Sequence, residues 1–268
     1  LSPFVMAWQN LLPGGLHNNE IALVAFHSGF NLLGVVLILP FAQAFTRLMQ
    51  YLVPDPEIAE LDRLDKNLLR EPAIALTAVS TTLQEITLRL FHYHHSLVAQ
   101  GKTDYRELSA IGLILDKTHN YVDQIHLQPN DKQSWPLITA SVHTLDHLQR
   151  LHERCEEEAD RAETLASTQE LSQIEQKSVK WINEIHRLIK TGQWPKALVL
   201  AAQNSEFLET ESEDIRQAFL ADIAMGKTNV PEGTDRLEAI RWLRRSSYHI
   251  WRICHHMNTI SSRSIHKT

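Results

Sequence analysis

Histidine is the residue type in this chain whose number and spacing could do chemistry. Fifteen occur in 268 residues, and they fall in groups. His143, His147 and His152 form one group with Asp146 beside them; His143 and His147 are four apart and therefore share a helix face. His249, His255 and His256 form a second group with poorer spacing, since six positions separate His249 from His255. His92, His94 and His95 form a third that could complete a site. Neutral imidazoles on one face suit a transition metal, favouring zinc, nickel, copper or iron over magnesium or calcium. The plainer reading of the first two groups is amphipathic helix faces with solvated or hydrogen-bonded histidines, and of the third a surface cluster. Nucleophilic catalysis has no support: no GxSxG elbow, P-loop, HExxH or glycine-rich dinucleotide turn is present, so no enzyme is expected. The run Glu153-Arg154-Cys155-Glu156-Glu157-Glu158 reads as a solvated helix face whose acids raise the Cys155 pKa.

The elements that must position these residues are helical throughout. From Pro54 onward there is no period-2 alternation, and short punctuation separates the segments: Pro54-Asp55-Pro56, Gln100-Gly101-Lys102, Gln128-Pro129-Asn130, Thr191-Gly192, Gly226-Lys227 and Pro231-Glu232-Gly233. The pattern predicts helices at about 56–99, 104–127, 132–166, 168–190, 195–225 and 233–262, the first interrupted near Pro72, which suits a first helical turn. Leu108, Ile111, Leu115, Val122 and Ile125 make one helical stripe; Leu171, Ile174, Trp181, Ile185 and Leu188 make another. Short connections imply antiparallel neighbours, and six helices divide economically into two three-helix bundles. An internal repeat marks the division. His147-Leu148-Gln149-Arg150-Leu151 in the third helix answers His249-Ile250-Trp251-Arg252-Ile253 in the sixth, about 100 residues later.

Ahead of these helices lies Ile21–Leu39, an apolar run without a charge, in which only His27, Ser28 and Asn31 carry polar side chains. At roughly 1.5 Å per residue such a helix matches a hydrocarbon core of roughly 30 Å. The sequence therefore predicts a transmembrane helix over about 21–49 and a truncated membrane region over 1–52, followed by a helical domain over 53–268 with repeats at about 56–166 and 168–262. His27 and Asn31 share a face, expected to meet other membrane helices rather than lipid. Arg47, Arg63, Lys66 and Arg70 follow the run, against Glu20 before it, which places the later domain in the cytoplasm. A cleaved signal peptide fits poorly, for want of a basic start and a small-residue cleavage pattern. Leu1–Leu12 reads as the tail of a preceding membrane element or as an interfacial helix, so the chain is expected to lack an amino-terminal portion.

Composition agrees with a tethered polar domain: mean hydropathy is -0.24. Net charge is -6 with pI near 6.2, which argues against a nucleic-acid partner. Cys155 and Cys254 resemble no disulfide framework.

These residues resemble a family. The run through His27, Phe30, Asn31, Gly34 and Val35 is similar to the last membrane helix of bacterial Na+/phosphate cotransporter-like proteins. Leu61-Asp62 or Leu64-Asp65, with Leu69 and Pro72-Ala73, resembles that family's linker into a PhoU-like domain. The repeated helices resemble the PhoU pattern, in which a stretch like DLERIGD closes each three-helix bundle. The resemblance implies a sodium-dependent phosphate symporter in the plasma (inner) membrane, taking sodium and phosphate as the full-length protein, with a cytoplasmic PhoU-like domain that regulates or assembles it. Its partners would be the membrane, other membrane helices of the same full-length protein, and a second copy as a homo-oligomer. The family's glutamine- and serine-rich transport segments are absent from this chain, so this stretch alone is not expected to transport.

The departures concern the metal. PhoU proteins hold metal clusters on acids of the closing helices. Aligned on Arg150, those acids are replaced by His147 and Gln149, and Glu153 alone keeps a carboxylate; around Arg252, His249, Trp251 and His255 stand where acids would. If a site survives, its ligands come from His143, Asp146, His147, His152 and Glu153 in the first copy and from His249, His255 and His256 in the second. The alternatives are a membrane-anchored signalling or adaptor domain, and a metal-binding bundle.

Overall fold

The computed structural model describes residues 19–52, 62–157 and 159–265. Leu1–Leu12 and the Pro54-Asp55-Pro56 punctuation lie outside the described residues. Every regular element among the described residues is helical. The chain divides into two compact units, Leu1–Glu57 and Ile58–Thr268.

In the first unit, helix α1 spans Asn19–Leu52 and runs through Pro40. Val24, Phe30, Leu32, Leu33, Val35 and Val36 are each more than half exposed along it. Among the described residues, however, no helix is long and apolar enough to cross a membrane, so the expected transmembrane helix at about 21–49 is not met there. Ile21, Ala22, Leu23, Ala25 and Ile38, which carry much of the apolar character of the run, have side chains outside the described residues, whereas His27, Ser28 and Asn31 lie within them.

In the second unit the six expected helices appear as seven: α2 (Pro72–Gln100), α3 (Tyr105–Val122), α4 (Trp135–Glu157), α5 (Asp160–Ser167), α6 (Gln169–Lys190), α7 (Trp194–Ala224) and α8 (Val230–Ile265). The first begins at Pro72, later than expected, and a 3-10 turn over Lys66–Arg70 precedes it. Asp65 caps that turn by accepting from the Asn67 N–H at 2.8 Å. Pro72 then starts α2, because its fixed φ suits the first helical position and it has no N–H to leave unpaired. Gly101 ends α2 at φ 61, a left-handed conformation that glycine adopts without penalty, and returns its N–H to Leu97 O. Asp104 restarts the chain by accepting the N–H groups of Arg106 and Glu107, both at 3.1 Å.

Two boundaries differ from the sequence expectation. The third helix breaks after Glu157, and the short α5 turns Ala162 and Leu165 into the core. The Pro231-Glu232-Gly233 punctuation lies inside the first turn of α8. Asn229 caps that turn by accepting from Glu232 N–H at 2.9 Å, while its amide donates to the Glu232 carboxylate at 3.3 Å.

Helices α2, α3 and α4 pack mutually; α6 packs on α7 and α7 on α8. The two sets share one continuous core, because α4 lies on α8, α2 lies on α6, and α5 touches α2, α6 and α8. Leu83, Ile86, Leu90, Phe91 and Leu97 of α2 are wholly buried at its centre. Burial of apolar area at about 25 cal/mol per Å² is the dominant stabilising term for such a core.

Candidate functional site

The repeat brings its own two copies together. Helices α4 and α8 pack antiparallel: His143 stacks on His256 (ring centroids 4.9 Å apart), His147 meets His249, and Trp242 donates its indole N–H to the Arg154 carbonyl at 2.9 Å. His147 and His249 are equivalent positions of the repeat, and their Nδ1 atoms lie 3.2 Å apart. The sequence separates them by about 100 residues; the seam between α4 and α8 places them in contact.

Donor identity fixes the protons along this seam. Arg252 donates from Nε to His147 Nε2 at 3.5 Å, a long bond, and its Nη2 lies 3.2 Å from His256 Nε2. Guanidinium only donates, so both imidazole Nε2 atoms accept and the neutral rings carry their protons on Nδ1. His147 Nδ1 then donates to His249 Nδ1, which leaves the His249 proton on Nε2. These tautomers are assigned from the hydrogen-bond partners.

The electrostatics agree. Burial pushes His249 down to about 4, and the neighbouring His147, Arg150 and Arg154 push it the same way while Asp146 opposes. Burial also takes His256 to about 4, aided by Arg252, His255, His143 and His147. His147 is lowered chiefly by burial; Asp146 opposes, and Arg252, Arg150 and His143 add to the lowering. Neutral imidazoles therefore surround Arg252, which has no carboxylate within ion-pair distance among the described residues.

A metal needs several lone pairs converging on one point. At this seam the Nε2 lone pairs of His147 and His256 are directed at the Arg252 guanidinium, so the cation in their midst is an arginine. Among the described residues no group of three or more His, Cys, Asp or Glu side chains is placed to hold a metal ion. The other expected ligands go elsewhere. Asp146 accepts from Arg150 Nε at 3.2 Å on an exposed face. His152 is buried, facing α3, where its Nε2 lies 2.8 Å from the Leu108 carbonyl. Gly112 makes room for that ring, since a Cβ there would come within 3.1 Å of His152 Nε2. Glu153 is half-buried and acts on Arg150 from a distance. His255 is exposed, its ring edge-on to His256.

His92, His94 and His95 do not form a surface cluster. His92 is exposed, His95 is half-buried, and His94 is wholly buried in the core, stacked on Trp242 with centroids 5.5 Å apart. Burial pushes His94 down to about 3, and neither ring nitrogen has a hydrogen-bond partner. Cys155 also departs from expectation. It is buried rather than on a solvated face, and burial, not the acidic run, raises its pKa. Cys254 behaves alike, and both thiols are free.

Arg252 is the residue the sequence reasoning undervalued. A signal was available: Arg150 has Asp146 four positions before it, whereas positions 248, 249, 255 and 256 around Arg252 hold no acid. In the first unit, His27 and Asn31 do share a face, and the Asn31 amide donates to His27 Nε2 at 3.0 Å. Compared with known protein families, with curated proteins and with solved structures, the chain matches none.

Proposed function

We propose that this chain is the carboxyl-terminal part of a sodium-dependent phosphate symporter, with α1 as a membrane helix and the helical unit as a PhoU-like cytoplasmic domain. The observation that carries the reading is α1: a long helix whose apolar side chains stand exposed, interrupted on one face by a hydrogen-bonded His27–Asn31 pair. A helix that presents apolar groups on several sides needs a bilayer or other helices around it. The His27, Phe30, Asn31, Gly34, Val35 pattern favours the phosphate-transporter family among membrane proteins. The repeated helices that follow, with their paired His-aliphatic-x-Arg segments, favour a PhoU-like unit.

On this reading the helical domain acts by contact with its own membrane portion rather than by catalysis. The seam between α4 and α8, held by Arg252 and neutral imidazoles, takes the place that acidic metal ligands hold in the family resembled. The inner membrane is the location, with the second unit on the cytoplasmic side.

The test uses the full-length protein that contains this chain, in cells lacking other phosphate uptake. Sodium-dependent phosphate accumulation is the expected result, and Asn31→Leu should reduce it or reduce assembly, because an amide partner is lost at a helix contact. Reporter fusions after Val53 should be active only in the cytoplasm. A full-length protein without sodium-dependent uptake, or one whose Val53 fusion reports from the outer side, overturns the proposal and favours a differently oriented anchor or an adaptor.

A further inference from the structure

A groove of about 950 Å³ opens in the second unit where the later turns of α2, the α2–α3 turn and the end of α6 meet. Cations outnumber acids along its lining. Asp104 caps α3 yet keeps one negative charge on the wall, while Glu107 accepts Arg89 in a bidentate pair at 2.8 and 2.9 Å. Against Asp104 stand Lys102 on the turn, Arg106 in the first turn of α3 and Lys190 at the end of α6, none with a carboxylate at ion-pair distance among the described residues. This cationic groove lies on a chain of net charge -6.

The rest of the lining has a different character. Tyr105 is 66% exposed at the rim, and His92 and Leu88 offer a flat and an apolar face beside it. Tyr93 forms part of the floor; it is 4% exposed, and its hydroxyl has no hydrogen-bond partner. Burial pushes the phenol up to about 12. The His186 ring faces His92, with ring centroids 5.8 Å apart.

We propose that this groove binds a small phosphate ester bearing a flat ring, of mononucleotide size. The volume lies within the range of roughly 300–1,000 Å³ that holds such ligands. Three unpaired cations drawn from the α2–α3 turn, α3 and α6 suit a dianion with several oxygens better than a single carboxylate, and an arginine among them adds a planar donor fork. The exposed Tyr105 ring supplies a stacking face, worth most to a planar group. The cap of α3 plays no part, because Asp104 already takes its first-turn N–H groups. The proposal rests on the groove alone, and its failure would leave the transport reading untouched.

The experiment is calorimetric titration of the intact chain, solubilised in a mild detergent at low salt and neutral pH. The probes are AMP, phenyl phosphate, adenosine and inorganic phosphate. AMP and phenyl phosphate should bind, with adenosine and inorganic phosphate each at least about tenfold weaker, as loss of one charge-assisted or stacking contact would give. Lys102→Met combined with Lys190→Met should weaken AMP by about tenfold or more, with an unchanged unfolding midpoint because both side chains are exposed. Lys180→Met, an exposed cation outside the groove, should leave affinity within twofold. Absence of binding by both esters, adenosine binding as tightly as AMP, or full affinity in the double variant overturns the proposal. Inorganic phosphate binding as tightly as AMP also overturns it, and would assign a bare oxyanion site.

Discussion

Arg150 and Arg252 occupy the same place in two copies of one helical pattern and meet opposite surroundings. Arg150 lies on an exposed face and pairs with Asp146 one turn earlier, the arrangement of an ordinary surface ion pair. Arg252 is half-buried, has no carboxylate at ion-pair distance among the described residues, and donates hydrogen bonds to His147 and His256. The residues around them diverge in step: Trp242 of the second copy, buried and bonded to the Arg154 carbonyl, has Ala140 as its counterpart in the first. The lesson is that a repeat preserves positions while the seam between its copies decides what each position does.

The sharpest way to break the comparison is to make the second copy resemble the first. Trp242→Ala should cost about 3–5 kcal/mol in urea unfolding, because it empties a core position shared by His94 and α4. A loss under about 1 kcal/mol would mean that the seam does not depend on that side chain. The next effect is one of pH. His249 and His256 have folded pKa values of about 4, below the unfolded value of roughly 6.5. Between those values the unfolded chain binds more protons, so stability is complete above about pH 6.5 and falls as the pH drops toward 4. His249 keeps partial contact with solvent, which makes the loss smaller than that from Trp242→Ala. A flat unfolding midpoint from pH 7 to 4.5 would contradict neutral imidazoles at the seam.

Smaller still is the difference between the arginines. Arg252→Met should cost about 1–2 kcal/mol by leaving two imidazole acceptors unpaired, while Arg150→Met should change nothing measurable. Equal costs would erase the asymmetry. Least of all should the copies differ in their thiols. Cys155 and Cys254 are both buried with raised pKa values, so neither should react with a thiol reagent until the chain unfolds. Rapid labelling of one alone would show that its side of the core opens.

Much of the helical framework was legible in the sequence, because apolar periodicity reports which face meets a core. Leu108, Ile111, Leu115, Val122 and Ile125, read as one stripe, are all buried. Trp181 was less well read: it stays half-buried, edge-on to Phe207 with Lys177 over its ring, while Ile182 takes the core position. A large aromatic with an amphipathic neighbour can satisfy the period from the rim. The break before α5 was not legible, since nothing in Glu156-Glu157-Glu158 marks a helix end by propensity. The candidate site was legible in its residue types and not in its partners. His143, His147, His249 and His256 do come together, yet that depends on α4 packing against α8, a contact between segments about 100 residues apart. Spacing within one helix could not show that an arginine, rather than an ion, would stand among them, nor that His152 would turn away toward Leu108.

The claim on which the rest depends is that Arg252, bonded to neutral His147 and His256, is the cation of the seam. Imidazole nitrogen and proton shifts of the intact chain, followed by NMR from pH 8 to 4 in wild type and in Arg252→Met, test it directly. In wild type His147 should carry its proton on Nδ1 and His256 should titrate near pH 4, moving upward when Arg252 is removed. A His256 that titrates near 6.5 in both proteins, or a His147 protonated on Nε2 at neutral pH, would contradict it.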